Sequence, residues 1–500
     1  MRDAVGLITY ADRLGGSLAG LRALLDGPLT GLFGGVHVLP FFRPFDGADA
    51  GFDPEDHTEV DPRLGTWEDV RALAAGRDLV VDLIVNHVST RSPQFRDVAA
   101  RGAASPYAPM FLTLGSVFGR GATEADLLAI YRPRPGLPFT PVVLDDGTRL
   151  LLWTTFTARQ ADIDVRAPVT RRYLSSVLRR LAGAGVALVR LDAVGYAVKT
   201  PGSSCFMTPA TLAFVDELTA EAQALGLEVL VEVHAHHRRQ LEIAGRVGWV
   251  YDFALPALVL WGLHTGDARP LRRWLELRPR NAVTVLDTHD GIGVVDVGPQ
   301  GDEPGLLDET QLGALVEAIH AASGGTSLLA TGAAASNLDL YQVNCTYYDA
   351  VGRDDARYLL ARAIQLFTPG LPQVYYVGLL AGVNDTELLE RTGVGRDVNR
   401  HRYDMPEVEE ALARPVVRAL AQLIRFRNAH PAFAGEPATE PEAGGGRGIG
   451  DGDGELVLGW RAGDQHARLE ADLARGALRV AFTDAAGAER AVADLEQLPG

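Results

Sequence analysis

Val186-Ala-Leu-Val-Arg-Leu-Asp-Ala-Val-Gly-Tyr196 decides how the chain is read. It is a short apolar run broken by two ionisable residues, Arg190 and Asp192, which stand two apart and so point to the same face of an extended strand. Helical patterns flank it. Upstream, Pro168 opens a segment with Leu174, Val177, Leu178 and Leu181 at i, i+3, i+4 and i+7, closed by Gly183 and Gly185. Downstream, Leu212, Val215, Leu218 and Leu225 repeat the pattern and end at Gly226. A strand between two amphipathic helices is the unit of a parallel sheet with crossover connections.

The unit recurs along the chain. Apolar runs rich in Val, Ile, Leu and Tyr fall near residues 5–12, 35–42, 78–87, 186–196, 228–234, 249–255, 282–290 and 373–379. Eight such runs predict an α/β fold, a closed (β/α)₈ TIM barrel. The third and fourth are separated by about 100 residues and the seventh and eighth by about 80, far more than a crossover helix needs. Both gaps follow the C-terminal ends of strands, the face where barrel enzymes build their sites, so inserted subdomains are expected to wall a pocket there. The expected division is a barrel of residues 1–85, 166–291 and 353–432, insertions at 86–165 and 292–352, and a small β-domain at 433–500. That last piece follows the helix-like Pro415–Asn428 and a Gly-rich stretch at 444–454, and contains the strand-like Leu456-Val-Leu-Gly-Trp460.

Composition narrows the function. The chain has 500 residues, 47% hydrophobic and 22% charged, with no short repeat, the balance of a globular enzyme. A formal net charge of -17 repels phosphate backbones and anionic membrane surfaces, so neither nucleic acid nor membrane is an expected partner. Of the 47 basic residues Lys199 is the only lysine, a bias that leaves most arginines without individual meaning. Cys205 and Cys345 are too few for a disulfide framework or a cysteine-built metal site. The first residues lack the apolar core of a secretory signal, and no apolar run reaches the roughly 18 residues that span a bilayer. A cytoplasmic protein is expected.

The chemistry gathers at strand ends. Inside a barrel a charge is costly unless paired, so Arg190 and Asp192 taken alone could be a structural ion pair. The fifth run repeats the device, with Glu232 and His234 on one face; the seventh ends in His289 and Asp290, and the third in Asn86 and His87. Four strands delivering ionisable groups to one rim make an active site. Several carboxylates without cysteine or a His-x-x-x-His pattern suggest glycosyl transfer, in which one carboxylate attacks the anomeric carbon and a protonated one releases the leaving oxygen. Metal-assisted hydrolysis stays open on these residues alone, because Asp and His also bind metals.

Asp82-Leu-Ile-Val-Asn-His87, Val189-Arg-Leu-Asp-Ala193, Leu230-Val-Glu-Val-His234 and Leu286-Asp-Thr-His-Asp290 resemble the four strand-end motifs of the alpha-amylase superfamily of retaining glycosidases. Within it, Leu7–Leu14, Leu39–Asp53, Tyr131–Thr140 and Ala335–Asn344 are similar to the sucrose phosphorylases, and the similarity runs to about residue 430. The resemblance implies sucrose and inorganic phosphate as substrates, α-glucose 1-phosphate and fructose as products, and no cofactor and no metal. It leaves room for a sister phosphorylase acting on sucrose 6'-phosphate, glucosylglycerol or glucosylglycerate, or for a hydrolase. A homodimer is the one macromolecular association in view.

By the same resemblance Asp192 is the nucleophile, Glu232 the acid/base and Asp290 the transition-state stabiliser, with Arg190 counted among the substrate-binding residues and keeping Asp192 ionised. Asp49, Phe52, His87, His289 and Arg396 match positions that grip the glucosyl unit. Phe156, Tyr196, His234, Asp339, Leu340 and Gln342 match the acceptor side, and Arg134 and Tyr341 are associated with phosphate. Read alone, Arg134 is a surface arginine bridging two subdomains. Departures are small: Cys345 stands where serine is expected, Ala235-His236-His237 replaces a more aromatic stretch, and the C-terminal segment matches weakly. A silent, amylase-like binding protein would have lost a carboxylate, and all three are present.

Overall fold

Eight strands alternate with helices and close into a parallel barrel in chain order: β1 Gly6–Thr9, β2 Gly35–Val38, β3 Asp78–Ile84, β4 Leu188–Asp192, β5 Glu228–Val231, β6 Trp249–Asp252, β7 Ala282–Thr284 and β8 Leu371–Tyr375. The computed structural model describes residues 1–47, 49–133, 136–334 (332–334 as backbone only), 342–438 and 452–500. Every neighbouring pair runs parallel, including β1 with β8, which closes the ring. The apolar runs find strands at all eight places. They overshoot at the C-terminal ends, since runs read to 196, 234 and 290 leave the ladder at Asp192, Val231 and Thr284. The polar residues beyond those points belong to the rim, where backbone turns outward and side chains no longer alternate.

The predicted helices form with their apolar stripes inward. Pro168–Gly183 buries Leu174, Val177, Leu178 and Leu181, and Pro209–Ala224 buries Leu212, Val215 and Leu218; Leu225 lies one residue past its end. Helix Ala254–Thr265 is buried on nearly every side, because helices Arg269–Leu277, Glu309–Ala322 and Asp355–Phe367 pack around it instead of solvent.

The long connections are built as local structures over the rim. Between β3 and β4, His87–Ser89 pairs with Gln160–Asp162, and Phe139–Val143 pairs with Arg149–Trp153. Between β7 and β8, Ile292–Gly293 pairs with Gln342–Val343 and three longer helices follow the rim loop. At the C-terminus, strands 436–438, 455–462, 465–472, 477–483 and 489–492 form an antiparallel sheet. Its inner face, with Leu456, Trp460, Leu469 and Phe482, is continuous with the apolar layer around the barrel. Trp460 Nε1 donates to the carbonyl of Phe367 at 2.8 Å, fastening the sheet to helix Asp355–Phe367. Among the described residues no helix is long and apolar enough to cross a membrane.

Candidate active site

A pocket opens at the C-terminal mouth of the barrel, and twelve of the residues picked out from the sequence line it: Asp49, Phe52, His87, Phe156, Asp192, Tyr196, Glu232, His234, His289, Asp290, Gln342 and Arg396. Pro133 and Ala193 complete the lining. Arg134, Asp339, Leu340 and Tyr341 lie outside the described residues. Arg190 is not on the pocket wall. It is buried beneath Asp192.

The floor is organised around that arginine. Arg190 Nη1 donates to Asp192 Oδ1 at 2.9 Å and also to Asp82 on β3, while Nη2 lies 3.9 Å from Glu232 Oε1. Asp82 is completely buried and paired with His37 on β2 at 2.9 Å. Burial alone would raise the Asp82 carboxyl, but Arg190 and His37 bring it down to about 2. Asp192 behaves differently. Burial pushes its carboxyl well up; Arg190 opposes this, and the carboxylates of Glu232 and Asp82 add to the rise. Arg190 is the cation that opposes this rise at Asp192, and its one guanidinium is divided among three acids.

Past Asp192 the backbone turns sharply. Ala193 sits in the left-handed region at φ 52°, ψ 23°, unusual for a residue with a Cβ, and its N–H donates to Glu232 Oε2 at 3.0 Å. Glu232 is thereby tied to the residue after Asp192.

Asp290 is set on the opposite side by cations. Burial would raise its carboxyl, but Arg396 at 2.8 Å, with His289 and Arg400 each at 3.8 Å, holds it well below the usual carboxylate range. The loop is braced from the far segment: Arg400 Nε donates to the His289 carbonyl at 2.8 Å and Asn399 Nδ2 to the Thr288 carbonyl at 2.9 Å. This is why a residue as distant as Arg396 reaches the site.

One wall is aromatic and neutral. Phe52 stacks on His289 with ring centres 4.7 Å apart and planes 9° apart, and burial pushes His289 down to about 3, which favours a neutral imidazole on this wall. His87, also lowered by burial, donates from Nε2 to the Phe52 carbonyl at 2.9 Å. His234 carries the reverse bias. Burial lowers it, but Asp296, accepting from Nδ1 at 3.1 Å, turns the net direction upward. Its ring stacks on Phe253 at 3.8 Å, and Gln342 lies 3.3 Å from Nε2.

Several supporting residues escaped the sequence reading. Asp296 is fully buried and accepts from the Ala235 N–H and Gln240 as well as His234. Gln160 donates to Asp49 Oδ2 at 3.2 Å and lies 3.0 Å from His87 Nε2. Neither stands in a strand-end motif, so nothing local marked them. Glu232, His234 and Asp290 bring ligand atoms within 4.8 Å of one another, a spacing a metal ion could use. Arg396 already supplies positive charge beside Asp290 there.

The fold and the site define a class: a (β/α)₈ enzyme of the alpha-amylase type, acting on glycosyl bonds. The chain matches the alpha amylase catalytic domain over residues 16–231. It is 58% identical to sucrose phosphorylase of Agrobacterium vitis, covering 95% of this chain and 96% of that protein. It is 52% identical to sucrose phosphorylase of Bifidobacterium adolescentis, covering 95% and 93%. The crystal structure of sucrose 6F-phosphate phosphorylase from Thermoanaerobacter thermosaccharolyticum superposes with a TM-score of 0.89 at 38% identity, covering 99% of this chain and 98% of that one. The chain belongs to the sucrose phosphorylase family.

Proposed function

We propose that this enzyme catalyses the reversible phosphorolysis of sucrose, with retention, through a glucosyl ester on Asp192. The observation that carries the proposal is the convergence of Asp192, Glu232 and Asp290 in one pocket, each with a different electrostatic neighbourhood. Asp192 attacks the anomeric carbon as the bond to fructose breaks, and Glu232 gives the departing oxygen its proton. Phosphate then attacks the ester, Glu232 takes up a proton in this half-reaction, and Asp192 leaves as a carboxylate. Asp290, kept anionic by Arg396, faces the positive charge that develops on the glucosyl ring. A single guanidinium contacting Asp192 and approaching Glu232 supports two carboxyl groups close enough for direct attack. His87, Asp49, Phe52, His289 and Arg396 hold the glucosyl unit; Phe156, Tyr196, His234 and Gln342 wall the acceptor. Arg134 and Tyr341 are proposed for phosphate from the sequence resemblance. Cys205 and Cys345, both free thiols and buried, suit a reducing cytoplasm.

Incubating sucrose with and without phosphate tests this directly. We expect α-glucose 1-phosphate and fructose in equal amounts with phosphate, and Asp192→Asn to form neither. Product of β configuration, or strict dependence on sucrose 6'-phosphate, would overturn the assignment. The second substrate is named because the 38% identical solved relative acts on it.

A further inference from the structure

Lys199 is the only lysine in a chain that otherwise uses arginine. It is buried at 1% exposure, under the pocket and not on its wall. Nζ pairs with the fully buried Asp162 at 2.6 Å, and donates to Asn86 Oδ1 at 2.9 Å, Thr155 Oγ1 at 3.3 Å and the carbonyl of Tyr196. Four acceptors from three separate segments crowd one nitrogen. Asn86 follows β3, Thr155 and Asp162 end the insertion, and Tyr196 follows β4.

We propose that Lys199 is the positioning residue of the acceptor half of the pocket: its ammonium fastens Tyr196 and Phe156 into one wall. This rests on the reading of those two rings as the acceptor wall. Phe156 is adjacent to Thr155, whose hydroxyl and N–H both donate to Asp162, and the Phe156 and Tyr196 rings meet edge to face at 5.2 Å. Remove the ammonium and Asp162 becomes a buried charge without its cation, so the segment bearing Phe156 must shift. The glucosyl half is less exposed to the loss. Lys199 reaches that half only at second hand, through Asn86, whose Nδ2 lies 3.3 Å from His87 Nδ1, and through the Phe156 ring against His87, while the bond of His87 to the Phe52 carbonyl and its contact with Gln160 do not involve Lys199. Arginine is a poor substitute, since a planar fork cannot direct donors at acceptors gathered round one nitrogen. That gives a physical reason for lysine here against the compositional drift of the chain.

The test compares wild type, Lys199→Met and Lys199→Arg in two assays. One is synthesis from glucose 1-phosphate and fructose, which needs the acceptor wall; the other is hydrolysis of α-glucosyl fluoride, which fills only the glucosyl half. For both variants we expect KM for fructose to rise roughly tenfold or more, with kcat/KM for the fluoride within about threefold of wild type. If Lys199→Met does not fold, the double variant Asp162→Asn with Lys199→Met removes both charges and is expected to show the same split. Equal loss in both assays from folded protein would overturn the proposal, as would unchanged fructose binding or a Lys199→Arg enzyme indistinguishable from wild type. A wild type that makes no sucrose from glucose 1-phosphate and fructose, while still hydrolysing the fluoride, would bring down the functional reading itself.

Discussion

Asp192 and Glu232 are both carboxyl groups at strand ends, and the groups behind them separate their roles. Asp192 rests on a guanidinium it shares with a buried aspartate, whereas Glu232 accepts from the N–H of Ala193. Replacing Glu232 by Gln keeps that hydrogen bond and removes the proposed proton donor. Turnover of sucrose is expected to fall about 10²–10⁴-fold, while α-glucosyl fluoride, whose leaving group needs no proton, loses much less in its first half-reaction; pre-steady-state release of fluoride checks this. Ala193 invites a second substitution. Its left-handed backbone costs a Cβ-bearing residue about 1–2 kcal/mol, and glycine recovers part of that against its greater freedom when unfolded. Ala193→Gly is therefore expected to leave stability unchanged or raise it by up to about 1 kcal/mol in denaturant unfolding.

The loops after the strands are precise because helices behind them are pinned. Helix Asp355–Phe367 carries Arg362, fully buried, whose Nη2 donates to Asp287 Oδ2 at 2.6 Å, three residues before Asp290. A Cβ at Gly378 would overlap both partners, so glycine there is a packing requirement of the pair. Arg362→Met leaves Asp287 as an unpaired buried charge and is expected to cost about 3–5 kcal/mol of stability. Because Asp287 and Asp290 share a loop, residual activity should fall further than the folded fraction; urea unfolding and kcat measured on the folded protein decide it.

Over the whole molecule, a charge of -17 works against one of its proposed substrates. An anionic acceptor must approach through a repulsive field that local cations offset. Arg134→Ala is expected to raise KM for phosphate strongly and shift product toward free glucose, with formation of the glucosyl ester from sucrose less affected. Arg134→Lys should recover only part, since a point charge lacks the bidentate fork. Equal phosphate dependence in wild type and Arg134→Ala would remove the residue from the phosphate site. For the same electrostatic reason, KM for phosphate should fall as salt rises from about 10 to 100 mM while KM for sucrose stays level, because screening reaches exposed charges first.

Most of the barrel and the three carboxylates were legible in residue order alone. Strand periodicity and short crossovers are local properties, and groups at i and i+2 share a face wherever the strand goes. That is how Arg190 with Asp192, and Glu232 with His234, could be paired before any folding was known. What folding alone supplied are the partners: Asp82 and His37 beneath Arg190, Asp296 behind His234, Gln160 beside His87, and Lys199 under the acceptor wall. Apart from Lys199, which lies three residues from Tyr196, each lies tens of residues or more from the group it serves, and apart from Asp82 none stands in a strand-end motif. It was also the fold that set Arg190 below the pocket and made burial the stronger influence on Asp192, since neither depth nor the sharing of one guanidinium among three acids is written in any local pattern.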